Sequence, residues 1–184
     1  MNNSNQNSLP DGRAGVGLLC IIGPSGAGKD TAARMLSELT GIPVIVSYTT
    51  RPMREDEENG REHHFVERCD VPSDKMLAYT EYGGYKYWTT IDQLSEDSIY
   101  VIDEVGVDNL QKRFPDINIV TIYITANKMV RMRRGVSAER ISRDDTRKRL
   151  PSTDYAIDNS VGLTSLKVQL RAIAVTEGYK ICKP

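Results

Sequence analysis

Residues 23–31 read Gly23-Pro24-Ser25-Gly26-Ala27-Gly28-Lys29-Asp30-Thr31, and this stretch decides the fold. Apolar residues fill 18–22 directly before it, as in a buried strand, and recur at helical spacing from 32 to 39 after it. Glycines between a strand and a helix let backbone N–H groups converge on phosphate oxygens at the helix N-terminus. Together these features predict a phosphate-binding loop (P-loop), in which Lys29 reaches the β- and γ-phosphates of a bound nucleotide.

Asp30 departs from the usual P-loop, which has Ser or Thr after the lysine to bind Mg²⁺. A carboxylate there can ligate the ion directly or through water, because Mg²⁺ prefers oxygen ligands and keeps several waters. We therefore predict that residues 23–31 bind nucleotide and that Asp30 binds Mg²⁺. The alternative is a Gly-rich turn that caps a helix, with Asp30 favoured there by the helix dipole.

The bulk composition fits one globular domain. The chain has 184 residues, of which 39% are hydrophobic and 27% charged, and its net charge of −1 gives no electrostatic reason to expect nucleic acid or membrane binding. Its three cysteines lack the spacing of metal ligands. The first residues are polar and the apolar runs are short, so we expect a cytoplasmic protein without a membrane span. Oligomeric state is left open.

Strand and helix patterns alternate along the chain, which favours an α/β fold with a parallel sheet flanked by helices. The predicted strands are 18–22, 44–46, 99–103 and 117–125, and the predicted helices are 29–39, 105–114 and 163–177. Strand 99–103 ends in Asp103, the position of a carboxylate directed at metal-bound water, and Glu104 is a second carboxylate there. Residues 1–16 are rich in Asn, Ser and Gly and predict a disordered tail.

A second stretch with phosphate-binding chemistry follows strand 44–46. It runs from Ser47 through two threonines to Arg51 and Arg54. Hydroxyls followed by two arginines indicate an anion site, since arginine binds phosphate through two parallel hydrogen bonds. Taken alone, the arginine pair favours a solvated charged loop.

Together the two stretches resemble the guanylate kinase family. The loop Gly-Pro-Ser-Gly-Ala-Gly-Lys matches nearly letter for letter, and 47–65 is similar to the family's Ser-x-Thr-Thr-Arg-x-x-Arg…Glu…Gly…Tyr-x-Phe segment. The likeness extends, more weakly, over 18–177. It implies that ATP and Mg²⁺ are cofactors and that a phosphoryl group passes to a small nucleotide, GMP or dGMP. It also implies a kinase-like domain at 17–184, with a core at 17–46 and 91–184, a small β-rich acceptor-binding insert at 47–90 and an arginine-rich lid at about 130–150.

The resemblance also assigns roles to single residues on the acceptor side. His63 stands where the family has a tyrosine, which keeps a hydrogen-bonding ring and adds a pH dependence near neutrality. The assigned residues are Ser47, Arg51, Arg54, His63 and Tyr87 for the acceptor phosphate and Thr89 for the base.

The match to the family breaks where the base is read. Two guanine-reading carboxylates of the family fall on Ala78 and Val105, and their loss should weaken discrimination for guanine. Glu81 or Glu104 are the candidates to replace them. The alternative acceptors are therefore another (deoxy)nucleotide or a phosphorylated sugar such as a ribose bisphosphate. A non-catalytic binding module is a third reading, which the retained lysine and glycines disfavour.

Alternating residues at 76–82 and 85–89 flank two glycines and predict a β-hairpin. Tyr79 is expected in the core of the insert. Trp88 either stacks on a base or belongs to the same core.

The stretch 128–149 is strongly basic, which is typical either of a solvated helical face or of a mobile lid. Phosphoryl transfer spreads charge over the equatorial oxygens, so arginines that meet this charge accelerate it. By resemblance to the family's lid we expect Arg131, Arg134 and Arg143 to be catalytic, with Arg140 in reserve. The segment 154–159 resembles the family's last strand, and Asn159 is the expected adenine contact.

Overall fold

The computed structural model describes residues 17–55, 57–146 and 152–182. The predicted tail at 1–16 and the end of the predicted lid, with Arg147, Lys148 and Arg149, lie outside these ranges. In chain order the elements are β1 (Gly17–Ile22), α1 (Lys29–Thr40), β2 (Val44–Ile45), β3 (Tyr48–Thr49), β4 (His64–Phe65), β5 (Met76–Tyr82), β6 (Tyr85–Thr90), β7 (Asp97–Val101), α2 (Glu104–Arg113), β8 (Asn118–Thr125), α3 (Lys128–Arg133), α4 (Ala138–Asp145), β9 (Tyr155–Asp158) and α5 (Leu163–Thr176).

Five parallel strands form the central sheet, in the order β2-β7-β1-β8-β9. Every residue of β1 is buried, because successive side chains of this middle strand enter the cores on opposite faces of the sheet. Leu19 and Ile21 pack with residues of α1 and α5, and Leu18 and Ile22 pack with residues of α2. The predicted α/β fold with helices on a parallel sheet is confirmed.

A smaller sheet of four strands, in the order β4-β3-β6-β5, is formed by the segment 48–90. The predicted hairpin is present as β5 and β6. Trp88 lies on the inner strand β6, is 3% exposed and stacks on Tyr48 at 5.6 Å, so it belongs to the core of this sheet. The prediction for Tyr79 is wrong: on the edge strand β5 it is 43% exposed, and its hydroxyl bonds the carboxylate of Glu81.

The strand before α2 is shorter than predicted, since β7 ends at Val101. Asp103 is instead the N-cap of α2, and its Oδ1 accepts the N–H of Gly106 at 2.7 Å. Among the described residues, none of the helices has the length and apolar character that a membrane crossing requires.

Candidate active site

The turn between β1 and α1 has the backbone conformation that a P-loop requires. Gly26 and Gly28 have φ values of 74° and 97°, in the left-handed region that side chains disfavour. A Cβ added at Gly28 would lie 2.5 Å from Nδ2 of Asn159, so the close approach of another segment also requires glycine there. Lys29 Nζ donates to the carbonyl oxygen of Pro24 at 3.2 Å, which places the ammonium beside the loop.

Arg131 in α3 reaches the P-loop from the predicted lid. Its Nε donates to the carbonyl oxygen of Ser25 at 2.8 Å, and one terminal nitrogen donates to Asp144 Oδ2 at 2.9 Å. The same carboxylate oxygen accepts the N–H of Ser25 at 2.7 Å. The residue is 4% exposed, so the structure brings this predicted catalytic arginine to the loop in a buried position.

Arg134 and Asn159 approach the neighbouring part of the loop. Arg134 donates to the carbonyl oxygens of Gly26 at 2.8 Å and Ala27 at 3.1 Å, and also to that of Asn159 at 2.9 Å. Asn159 is 2% exposed, and its Nδ2 donates to the carbonyl oxygen of Ala27 at 2.9 Å. Its contact is therefore with the loop, and the predicted adenine contact stays a prediction.

The other two arginines that the sequence analysis named, Arg140 and Arg143, lie on α4. Arg143 is exposed there. Arg140, held in reserve by the sequence analysis, donates to the hydroxyl of Ser25 at 3.2 Å. The loop is thus contacted by three arginines of the lid segment as far as the described residues show.

On the acceptor side, Arg51 is paired with Glu57. Two terminal nitrogens of Arg51 donate to the two carboxylate oxygens of Glu57 at 2.9 and 2.7 Å, and both side chains are about one-tenth exposed. The hydrogen bond from Arg51 lowers the pKa of Glu57, and the same hydrogen bond raises the pKa of Arg51. Glu57 also accepts the backbone N–H of Arg54 at 2.9 Å, so one carboxylate orients both predicted phosphate-binding residues.

His63 joins the other predicted phosphate ligands. Its Nδ1 lies 2.8 Å from Oγ of Ser47, within a hydrogen bond, and its ring contacts that of Tyr87 at 5.7 Å. Burial, followed by the positive charge of Arg51, lowers the pKa of His63 below its usual 6.5. We therefore expect a neutral imidazole at pH 7.

One cavity of about 220 Å³ joins the two sides. Gly23 and Lys29 line it from the P-loop, and Ser47, His63 and Tyr87 line it from the predicted acceptor site. The P-loop and part of the predicted acceptor site therefore open into the same space, whereas Arg51 and Arg54 are not among the residues that line it.

The rest of this cavity is mainly apolar and aromatic. Its further lining residues are Ala78, Tyr79, Thr80, Trp88, Tyr100, Val101, Ile102, Asp103 and Gly106. The two candidates to replace the missing guanine-reading carboxylates, Glu81 and Glu104, are not among them. Thr89 is fully buried, and its hydroxyl lies 3.1 Å from that of Tyr100, so within this structure the tyrosine and not Thr89 lines the cavity.

Helix α2 explains why Val105 is also absent from the lining. Asp103 and Gly106 are three positions apart and share the helix face toward the cavity, whereas Val105 points away and is 57% exposed. A carboxylate at this position would therefore face solvent in the present arrangement.

The predicted metal ligands fit Mg²⁺ in chemical type. Asp103 lines the cavity with Lys29, and Asp30 is exposed at the start of α1. Mg²⁺ is usually held by one or two carboxylates together with phosphate oxygens and waters. The described residues contain no group of three or more His, Cys, Asp and Glu side chains that could hold an ion alone.

The model of the guanylate kinase family matches residues 16–159. The chain belongs to the guanylate kinase family. The guanylate kinase of Symbiobacterium thermophilum is 30% identical to it over 182 residues, covering 87% of this chain and 85% of the relative. That of Dechloromonas aromatica is 39% identical over 110 residues, and this match spans about half of each protein, 53% of the chain and 54% of the relative.

A solved guanylate kinase has the same fold. The crystal structure of guanylate kinase from Anaplasma phagocytophilum superposes with a TM-score of 0.61 at 23% identity, covering 89% of this chain and 86% of the other. Membership of the guanylate kinase family makes the protein a nucleoside monophosphate kinase, which is a transferase.

Sequence reasoning missed two residues of the candidate site, Asp144 and Tyr100, which contact the P-loop and line the cavity respectively. Asp144 follows the buried Ile141 by three residues, so helical spacing already placed it on the inward face of α4. Tyr100 stands between the aliphatic residues Ile99 and Val101 in β7, and a buried tyrosine usually needs a hydrogen-bond partner. Neither feature of the sequence indicates which residue Asp144 or Tyr100 contacts in the folded protein.

Proposed function

We propose that the protein transfers the γ-phosphoryl group of ATP to the phosphate of GMP or dGMP and forms the diphosphate. The observation that carries this proposal is the shared cavity, with Lys29 and Gly23 on one side and Ser47, His63 and Tyr87 on the other. In-line transfer requires that the donor and acceptor phosphates meet in one space. The family membership supports the same reaction class.

The chemistry needs positioning and charge neutralisation more than proton transfer. The acceptor phosphate is already anionic, so no general base has to activate it. Lys29, Arg134 and Arg143 are the proposed partners of the donor and transferred phosphates, and Arg51 and Arg54 hold the acceptor. Bound Mg²⁺ would neutralise phosphate charge, and Asp30 and Asp103 are the carboxylates proposed to hold it.

A second acceptor class is favoured by one observation. The cavity has Ala78 where the resemblance places a guanine-reading carboxylate, and the side chains of Val101 and Ile102 also line it. Guanine presents N–H donors that such walls leave without a partner, and unpaired polar groups are costly to bury. An acceptor with fewer donors, such as another (deoxy)nucleotide, is therefore the second candidate.

The test is a survey of acceptors at saturating ATP and Mg²⁺, with ADP release measured for GMP, dGMP, AMP, UMP, dTMP and ribose phosphates. We expect the highest kcat/KM with GMP or dGMP. If the activity with GMP is absent, or is no higher than with the other compounds, the assignment of GMP as the phosphoryl acceptor is overturned and the second class of acceptors is favoured. Calorimetry with ATP and Mg²⁺ separates both from a binding module, for which no heat of binding is expected at millimolar nucleotide.

A further inference from the structure

The carboxylate of Asp144 is a buried charge to which the proposed reaction assigns no role. Its side chain is 1% exposed, although it lies in a lid segment rich in exposed arginines. Burying a carboxylate is costly unless charged and hydrogen-bonding partners replace water. Among the described residues, the Oδ2 atom of Asp144 is bonded by the backbone N–H of Ser25 and by Arg131.

Asp144 and Arg131 hold the two backbone groups of Ser25, which belong to adjacent peptide units. Asp144 Oδ2 accepts the N–H of Ser25 at 2.7 Å, and Arg131 Nε donates to the carbonyl oxygen of Ser25 at 2.8 Å. The two side chains are paired with each other at 2.9 Å, and that of Arg131 is 5% exposed. Such charge-assisted hydrogen bonds are about twice as strong as neutral ones.

We propose that Asp144 is a positioning residue for the donor nucleotide: it fixes the backbone N–H of Ser25 in the P-loop directly and the carbonyl group of Ser25 through Arg131. This inference rests on the proposed function, because it assumes that the P-loop binds the phosphates of ATP. Arg131 then acts by shaping the loop from a buried position. The next two carbonyl groups of the loop are also held by side chains: Arg134 donates to the carbonyl oxygen of Gly26, and Asn159 donates to that of Ala27.

A competing interpretation is that the carboxylate occupies the place of a phosphate oxygen, so that ATP has to displace it. The geometry disfavours this interpretation. The oxygen that meets Ser25 is also the oxygen paired with Arg131, and the pair is nearly inaccessible. Displacement would leave a buried guanidinium without that partner, which is strongly unfavourable.

The test compares Asp144→Asn with Glu139→Gln, which removes a carboxylate from an exposed position of the same helix. ATP binding with Mg²⁺ is measured by calorimetry, and KM is measured for ATP and for the acceptor. We expect Asp144→Asn to weaken ATP binding by about 10- to 100-fold, as expected for loss of a charge-assisted hydrogen bond. KM for the acceptor should stay within about twofold, since distant independent sites rarely couple, and Glu139→Gln should match the wild type.

Two results for Asp144→Asn would overturn the inference: wild-type affinity for ATP, or tighter binding, which is the result of the displacement interpretation. A wild-type protein that binds no ATP would instead overturn the proposed function. The double variant Arg131→Gln/Asp144→Asn removes both buried charges and carries the test if the single variant misfolds. When two residues act as a unit, replacing both reduces affinity about as much as replacing one. A loss of ATP affinity in the double variant equal to the product of the two single losses would therefore also overturn the inference.

Discussion

The two proposed phosphate sites differ in what holds their groups in place. On the P-loop side, backbone groups of Ser25, Gly26 and Ala27 are fixed by side chains from distant segments, of which Asp144 and Asn159 are buried. On the small-sheet side, Arg51 is fixed by Glu57, only six residues away. The positions of the P-loop backbone groups therefore depend on the packing of distant segments, whereas the position of the Arg51 side chain depends on residues of its own loop.

The two sides also differ in how much of the family pattern they keep. The P-loop retains every glycine and the lysine, whereas the acceptor side keeps Arg51 and Arg54 but has Ala78 at a base-reading position. In the proposed function, phosphate affinity and base selectivity come from different side chains, so one can change while the other is retained. Four experiments separate these contributions.

The largest effect is expected on the P-loop side. Lys29→Ala removes the ammonium that faces the cavity, and we expect kcat to fall by about 100- to 1,000-fold, as for other groups that stabilise charge in the transition state. The loss should be the same for every acceptor. Lys167→Ala, at an exposed position of α5, is the control. A loss below tenfold would contradict the role of Lys29.

A smaller effect, confined to the acceptor, is expected from Arg51→Ala. Loss of a charge-assisted phosphate contact should raise KM for the acceptor by about 10- to 100-fold and leave KM for ATP unchanged. Glu57→Gln should act in the same direction but less, because it loosens Arg51 without removing it. Arg68→Ala is the control, since its side chain is 82% exposed. An equal rise in both KM values would show that the two sides are not separate.

Base selectivity is tested by restoring the two carboxylates one at a time. Ala78→Glu places a carboxylate in the cavity that can accept hydrogen bonds from guanine. We expect the ratio of kcat/KM for GMP over dTMP to rise by about tenfold. Val105→Asp is the matched control, because this position faces solvent and the ratio should not change. A rise for Val105→Asp would mean that α2 turns when substrate binds.

The smallest effect concerns pH. Burial and the charge of Arg51 lower the pKa of His63 from 6.5 in the folded protein, so the unfolded chain takes up this proton more readily. His63 therefore contributes stability above pH 6.5 that is lost as the pH falls toward the folded pKa. Relative to His63→Gln, the wild type should lose about 2 °C in Tm across that window. His64→Gln is the control, and it should lose Tm with falling pH as the wild type does, because it keeps His63. An identical loss of Tm in His63→Gln and His64→Gln would contradict the assignment of this pH dependence to His63.

The sequence predicted the fold and the loop from local patterns. An apolar strand, glycines, a lysine and an amphipathic helix stand next to each other in the chain, and their spacing fixes a P-loop without reference to any other segment. The alternation at 76–90 likewise predicted the hairpin. Tyr79 was misplaced, because alternation identifies a face of a strand but does not show whether that strand lies at the edge of its sheet.

By itself, then, the sequence determined the architecture, the kinase family and the residue types beside each phosphate, since all of these depend on short spacings. Only the tertiary structure decided that Asp144 meets Ser25 across 119 positions and that Asn159 meets Ala27 across 132. It also decided that Val105 faces away from the cavity while Tyr100 lines it. Such contacts depend on how distant segments pack, and a local pattern carries no record of a partner that lies a hundred residues away.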